Sequence, residues 1–231
     1  MASAKIIHTR NFVADVTAFI LEQASESISE HDGFRIALSG GHTPAPVYAR
    51  LATQGADLPW DRIRFTFGDE RCVPPDDPQS NFRMARENLF TPAAVPEGSI
   101  MRMRGEIDPQ IAARDYEQQL AAIASKRGEP MYQHDLILLG LGPEGHTASL
   151  FPGTAALEEM TRTVVANFVP KLNAWRLTFT FPLINSARHI LFLVGASKSP
   201  ELIESVLKGD RQFPAARVNP TADGVTWIIG E

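Results

Sequence analysis

Glu144 and His146 stand two residues apart in a turn that also holds Gly140, Gly142 and Gly145. A carboxylate and an imidazole at that spacing suit general-base hydrolysis. The ring, with an ordinary pKa near 6.5, takes a proton from water at working pH. The acid beside it orients and polarises the ring. Amides of the turn from Gly142 to Gly145 are candidate donors to a developing oxyanion. Ser149, a few residues on, is expected on a helix, and no Gly-x-Ser-x-Gly elbow surrounds it, so a covalent serine mechanism is disfavoured.

Two further loops carry groups for holding an anion. In Ser39-Gly40-Gly41-His42-Thr43-Pro44, small residues let the backbone come close to a ligand ahead of a helix whose dipole favours negative charge. The glycine spacing and the lysine of a nucleotide-binding loop are absent, and an ordinary strand-to-helix turn would read the same way. In Asp69-Glu70-Arg71, the planar fork of Arg71 suits a phosphate or carboxylate, although such a cluster can equally be a surface ion-pair group. Asp69 is expected to orient Arg71 or, less favoured, to bind a hydroxyl. Lys171 and Arg176 add two cations in a later loop, where solubility alone is the competing explanation. His8, His31, His134 and His189 belong to no motif, and no Cys/His spacing indicates a metal site.

Each loop follows an apolar stretch. Leu136 to Leu139 is continuous rather than alternating, as expected of a strand buried on both faces of a parallel sheet. Phe34 to Leu38 and Ile63 to Phe67 predict strands ahead of the other two loops, so all three lie at carboxyl ends, where open parallel sheets bind ligands. Further strands are expected over 162–168, 176–181, 189–194 and 225–229. Helices are expected from Asn11 to about Ser29, over 45–53, from Ser80 or Asn81 to about Phe90, from Asp108-Pro109 to near Gly128, briefly after Pro182, and from Ser199-Pro200 to Leu207. In the Asp108 helix, Ile111, Tyr116, Leu120 and Ile123 are expected on one face. Strands and helices thus alternate, which indicates an α/β fold with a mainly parallel sheet.

The 231 residues, 44% of them apolar, suit one domain with a substantial core, and no linker or repeat interrupts them. The net charge of −5 and the lack of a basic run argue against nucleic-acid binding. No run approaches a membrane span, and the first ten residues lack a signal-peptide pattern. The single cysteine, Cys72, excludes an intrachain disulfide and fits a cytoplasmic setting.

Four stretches carry a family resemblance: Ser39 to Pro44; Asp69-Glu70-Arg71 with Val73-Pro74 and Ser80-Asn81; Gly140 to Gly153; and Pro170-Lys171 with Arg176-Leu177-Thr178. In that order they resemble the 6-phosphogluconolactonase family. The resemblance implies a Rossmann-like fold of the glucosamine-6-phosphate deaminase, ribose-5-phosphate isomerase and CoA-transferase type. It also implies hydrolysis of a sugar-phosphate lactone, the second step of the oxidative pentose phosphate pathway, with no cofactor, metal or obligate protein partner. On this reading His146 is the base and Glu144 its partner, while Ser39, Gly40, Gly41, Asp69, Arg71, Lys171 and Arg176 hold substrate. Two positions depart from the family pattern: Glu144 replaces the usual Asp, and His42 replaces a small or polar residue. Glucosamine-6-phosphate deaminases look similar, but there the histidine leads to Asn-Glu-Pro, whereas here Thr-Ala-Ser-Leu-Phe-Pro follows His146. A non-catalytic sugar-phosphate sensor is the alternative of a different class.

Overall fold

In the computed structural model, which describes residues 4–220 and 224–231, the buried strands carry the architecture. Six of them form one parallel sheet: β1 (Lys5–Thr9), β2 (Phe34–Leu38), β3 (Ile63–Phe67), β5 (Leu136–Gly140), β8 (His189–Val194) and β9 (Val225–Gly230). Their order is β1-β9-β8-β5-β2-β3. The unbroken apolar run in β5 follows from this, because its alternate residues enter two separate cores. Ile137 and Leu139 pack on one side of the sheet, and Leu136 and Leu138 on the other.

On the Leu136 side lie α1 (Phe12–His31) and α2 (Ala45–Gln54), represented by Val16, Ile20, Val47 and Leu51. The opposite side is covered by α4 (Pro109–Lys126), α5 (Phe181–Asn185) and α6 (Pro200–Leu207), through residues such as Leu120, Leu183 and Val206. The remaining helix, α3 (Asn81–Ala85), continues as a π-helical turn over Arg86–Phe90 and packs with the first group.

A second, antiparallel sheet joins β4 (Asp69–Arg71), β7 (Ala174–Phe179) and β6 (Val164–Val169), in that order. Gly68 fastens it to the first: its N–H donates to Leu38 O (3.0 Å), and its carbonyl accepts from Phe179 N (2.8 Å). Asp69 to Arg71, expected as loop, is therefore a strand. Its signal is hidden because all three residues are charged, and only the pairing with β7 extends them.

One strand escaped the sequence reading, and one expectation is corrected. The edge strand β1 was not anticipated; most of its residues are exposed, so burial leaves little pattern in it. On α4, Ile111 is 58% exposed, while Ala112, Ala113, Tyr116, Leu120 and Ala124 are buried. Alanines let α4 lie close to β6 and β7, so the buried stripe is set by small residues that apolar spacing alone undervalues. Three helix starts follow the caps read from sequence: Ser80 accepts from Arg83 N, Asp108 from Gln110 N and Ile111 N, and Ser199 from Leu202 N. Asn11 precedes α1 but makes no side-chain cap bond.

The corrected face of α4 gives a stability prediction. Leu120→Ala leaves a cavity in the core and should cost about 2–5 kcal/mol, whereas Ile111→Ala should cost no more than about 0.5 kcal/mol. Urea unfolding of the two variants checks the ordering, and equal losses would restore the face expected from the spacing.

Candidate active site

The chain reverses its direction across the sheet between β2 and β5. From β2 it proceeds outward to β3; from β5 it proceeds the other way, to β8 and β9. Ligands in open α/β sheets bind at such a switch point. Here the two strands also part: pairing is confined to Ile36↔Leu136 and Ala37↔Ile137, although β2 continues to Leu38 and β5 to Gly140. The opening leads into a cleft of about 580 Å³ lined by all nine residues expected at the site.

On the β5 side, the turn after Gly140 is drawn tight by its own backbone. Gly142 N donates to His146 O (2.8 Å) and Gly145 N to Gly142 O (3.0 Å). These two amides are therefore committed within the turn and do not serve as the oxyanion donors expected of them. Gly142 has a steric role instead: a Cβ there would lie 2.0 Å from His146 Cε1. Gly145 has φ +73°, and a Cβ on it would strike Phe213, so only glycine fits. The imidazole stacks on Phe151, with ring centroids 3.9 Å apart.

Glu144 Oε2 lies 2.9 Å from His146 Nδ1, and Lys171 Nζ donates to Glu144 Oε1 at 2.8 Å. Burial raises the Glu144 carboxyl, but Lys171, its own backbone amide and His146 outweigh burial and hold it down at about 2. An ionised carboxylate can only accept, so Nδ1 of the neutral ring carries the proton. Nε2 is then the basic nitrogen, and it has no protein partner among the described residues. Burial lowers the His146 pKa below 6.5, the Glu144 and Asp69 carboxylates oppose that shift, and Lys198 adds to it.

On the β2 side, Tyr48 fixes the Ser39 turn. Ser39 N donates to the Tyr48 hydroxyl (3.0 Å), which donates to Ser39 O (2.8 Å). The Ser39 hydroxyl is buried and has no hydrogen-bond partner among the described residues. A Cβ at Gly40 would sit 1.8 Å from Asn81 Oδ1, so this glycine permits a close approach.

The antiparallel sheet brings Arg71 directly opposite Arg176. Burial lowers the Arg176 pKa, and the like charge of Arg71 lowers it further. Two guanidinium groups opposed across strands repel each other unless an anion lies between them. Arg71 Nη1 donates to Gln79 O, and Arg176 Nη1 to Trp175 O (3.1 Å).

Asp69 does not orient Arg71. Its Oδ2 accepts from Ser149 Oγ (2.6 Å) and its Oδ1 from Asn81 Nδ2 (3.1 Å), and among the described residues it makes no bond to the Arg71 guanidinium. Ser149 is not on a helix either: Ala148 adopts φ +46°, which breaks helical geometry, and Ser149 N donates to Thr178 Oγ1 (3.2 Å). Asn167 Nδ2 donates to Ser149 O (2.9 Å), so the second sheet holds the segment behind His146.

Sequence reasoning missed three contributors. Ser197 and Lys198 line the cleft just beyond β8. The position after a buried strand was a usable signal for them, but no motif marked it. Glu70, 2% exposed, accepts from Arg71 N (2.7 Å), Asn81 N (2.8 Å), Phe82 N (2.8 Å) and Ser80 Oγ (3.2 Å), and so folds the 70–82 loop around itself. Burial raises its carboxyl pKa, while these amide bonds oppose the rise.

A doubly wound α/β fold with a histidine–carboxylate pair and opposed arginines in its switch-point cleft belongs among enzymes acting on small anionic substrates. The sequence places it more narrowly. Residues 8–227 match the model of the glucosamine-6-phosphate isomerases/6-phosphogluconolactonase family, and the chain belongs to that family. It is 39% identical to 6-phosphogluconolactonase of Synechocystis sp. over 98% of this chain and 94% of the relative. Against the Nostoc sp. 6-phosphogluconolactonase, identity is 36% over 91% of this chain and 87% of the relative. The crystal structure of 6-phosphogluconolactonase from Thermotoga maritima superposes with a TM-score of 0.88 at 31% identity, covering 99% of this chain and 100% of that one.

The proton inventory of the site is directly measurable. His146 should titrate below 6.5 in an NMR pH series, and Glu144→Gln, which removes a carboxylate that favours the charged ring, should lower the midpoint further. A midpoint above 6.5, or a rise in the variant, would contradict this electrostatic account.

Proposed function

We propose that this protein hydrolyses 6-phospho-D-glucono-1,5-lactone to 6-phospho-D-gluconate in the oxidative pentose phosphate pathway, with His146 as the base that activates water. The observation that carries the reading is the His146–Glu144 pair: the hydrogen bond to Nδ1 leaves Nε2 as the basic nitrogen beside the cleft. Near-full-length similarity to proteins named 6-phosphogluconolactonase supports the lactone as substrate.

The steps balance on one proton. Nε2 takes a proton from water as the oxygen adds to the lactone carbonyl carbon. The tetrahedral adduct collapses, the bond from that carbon to the ring oxygen breaks, and the imidazolium returns the proton to the departing oxygen. Such a group is worth about 10²- to 10⁴-fold in rate. Glu144 steadies the imidazolium that forms between the two transfers.

The phosphate, at the far end of the substrate, is assigned to the Ser39-Gly40-Gly41 turn with Arg71 and Arg176. The unpartnered Ser39 hydroxyl and the opposed guanidinium groups support this assignment. Binding energy from that remote group then positions the carbonyl at His146. Lys198 adds positive charge within the same cleft. Asp69 is read as a structural anchor that ties β4 to Ser149 and Asn81. Lys171, expected among the phosphate ligands, stands at the cleft with its ammonium on Glu144.

The decisive assay follows hydrolysis of freshly prepared lactone, corrected for spontaneous opening. His146→Ala should lose about 10²-fold or more in kcat while still binding 6-phosphogluconate. Equal rates would remove His146 from the chemistry. Loss of all wild-type turnover with sugar-phosphate binding retained would point to a sensor. In the wild type, kcat/KM should rise with pH as the imidazole loses its proton, with a midpoint below 6.5 and a plateau above it. Arg176→Ala should raise KM, because it removes part of the grip on the phosphate.

A further inference from the structure

We propose that Lys171 is a positioning residue for the hydrolytic step: it pins one oxygen of Glu144 so that the other stays on Nδ1 of His146. This rests on the lactonase reading above, and it assigns Lys171 to the base rather than to the phosphate. The three groups form a chain, with Lys171 Nζ 2.8 Å from Glu144 Oε1 and Glu144 Oε2 2.9 Å from His146 Nδ1. One carboxylate therefore uses a different oxygen for each neighbour, and its plane is fixed from both sides.

The sequence explains why a second anchor is needed. Glu144 carries one more methylene, and so one more rotatable bond, than aspartate would. Rotation about that bond can carry the carboxylate off the ring, and a flexible side chain costs more to order. The ammonium supplies the restraint from a different element. Lys171 lies in the short 3-10 turn Pro170–Leu172 at the tip of the β6–β7 hairpin, which Asn173 closes in a left-handed conformation.

The arrangement also separates the cationic groups of the cleft by task. Arg71 and Arg176 face each other across β4 and β7, with no carboxylate bonded to either guanidinium among the described residues. Lys171 alone of the three is bonded to a carboxylate. One of the three ammonium donors is on Glu144, and a Lys171 drawn off that carboxylate toward a phosphate would free the partner of His146. Exposed ion pairs contribute little to stability; here the Lys171 side chain is 68% exposed and that of Glu144 24%. The consequence is therefore expected in the orientation of the ring rather than in the fold.

The experiment compares wild type, Lys171→Met and Lys171→Arg, each with the full chain. Two readouts are taken: steady-state lactone hydrolysis and the tautomer of neutral His146 by ¹⁵N NMR. Wild type should hold the proton on Nδ1. Lys171→Met should show a mixture of tautomers, a kcat lower by roughly tenfold, in the range for groups that orient a functional histidine, and a KM changed by less than about twofold. Lys171→Arg, which keeps a donor for Glu144, should recover most of both properties. A raised KM with unchanged kcat and tautomer would overturn the proposal and return Lys171 to phosphate binding, and no change in any readout would overturn it as well. The tautomer measurement needs no substrate. If wild type fails to hydrolyse the lactone but Lys171→Met still mixes the tautomers, the lactonase reading fails while the positioning of His146 by Lys171 stands.

Discussion

The constraint on which this structure depends is that β2 and β5 pair over only two residue positions and then diverge. Parallel strands at the centre of a sheet ordinarily satisfy each other's backbone groups along their length. Here the two central strands continue past their last shared pair. On the β5 side the backbone beyond the last shared pair is met by a side chain rather than by a ladder: Ser39 N donates to the Tyr48 hydroxyl. The resulting gap lies between the Ser39 turn on one side and the His146 turn on the other. The buried Tyr48 hydroxyl holds the Ser39 edge of it, bonding both Ser39 N and Ser39 O.

Around that gap, charge is arranged by sheet. The parallel sheet contributes the backbone turns and His146, and the antiparallel sheet contributes the opposed arginines through the β4–β7 pairing. The sheets are tied at Gly68, and Asp69, Asn167 and Thr178 of the antiparallel sheet each bond to Ser149 in the segment that follows β5. Asp69 and Glu70 look alike in sequence yet do different structural work. Asp69 ties β4 to Ser149 and to Asn81 at the start of α3, while Glu70, buried and fed by backbone amides, folds the loop that leads to Asn81. In a low-dielectric interior such a carboxylate persists because amide donors surround it.

Much of this was legible in the sequence, and the reasons differ by element. The strands under the site were readable because burial on both faces demands an unbroken apolar run, as Leu136 to Leu139 show. The helix starts at Ser80, Asp108 and Ser199 were readable because capping is local chemistry. The second sheet was not recognised, because β4 is Asp-Glu-Arg and its extended form depends on a partner strand more than a hundred residues later. Likewise, the hydrogen-bond partners of Asp69, the commitment of the Gly142 and Gly145 amides, and the bond from Lys171 to Glu144 are products of tertiary packing, which local spacing does not encode. The types of residue at the site could be read; their pairings required the fold.

The central claim is that the cleft orients its substrate, with the lactone carbonyl at His146 and the phosphate between the Ser39 turn and the arginine pair. A crystal structure of the complex with 6-phosphogluconate tests it most directly. The account predicts the phosphate within hydrogen-bond reach of the Ser39-Gly40-Gly41 turn and of Arg71 or Arg176, with the C1 carboxylate beside Nε2 of His146. A ligand bound in the reverse sense, with its phosphate at His146, or bound outside the cleft would contradict it.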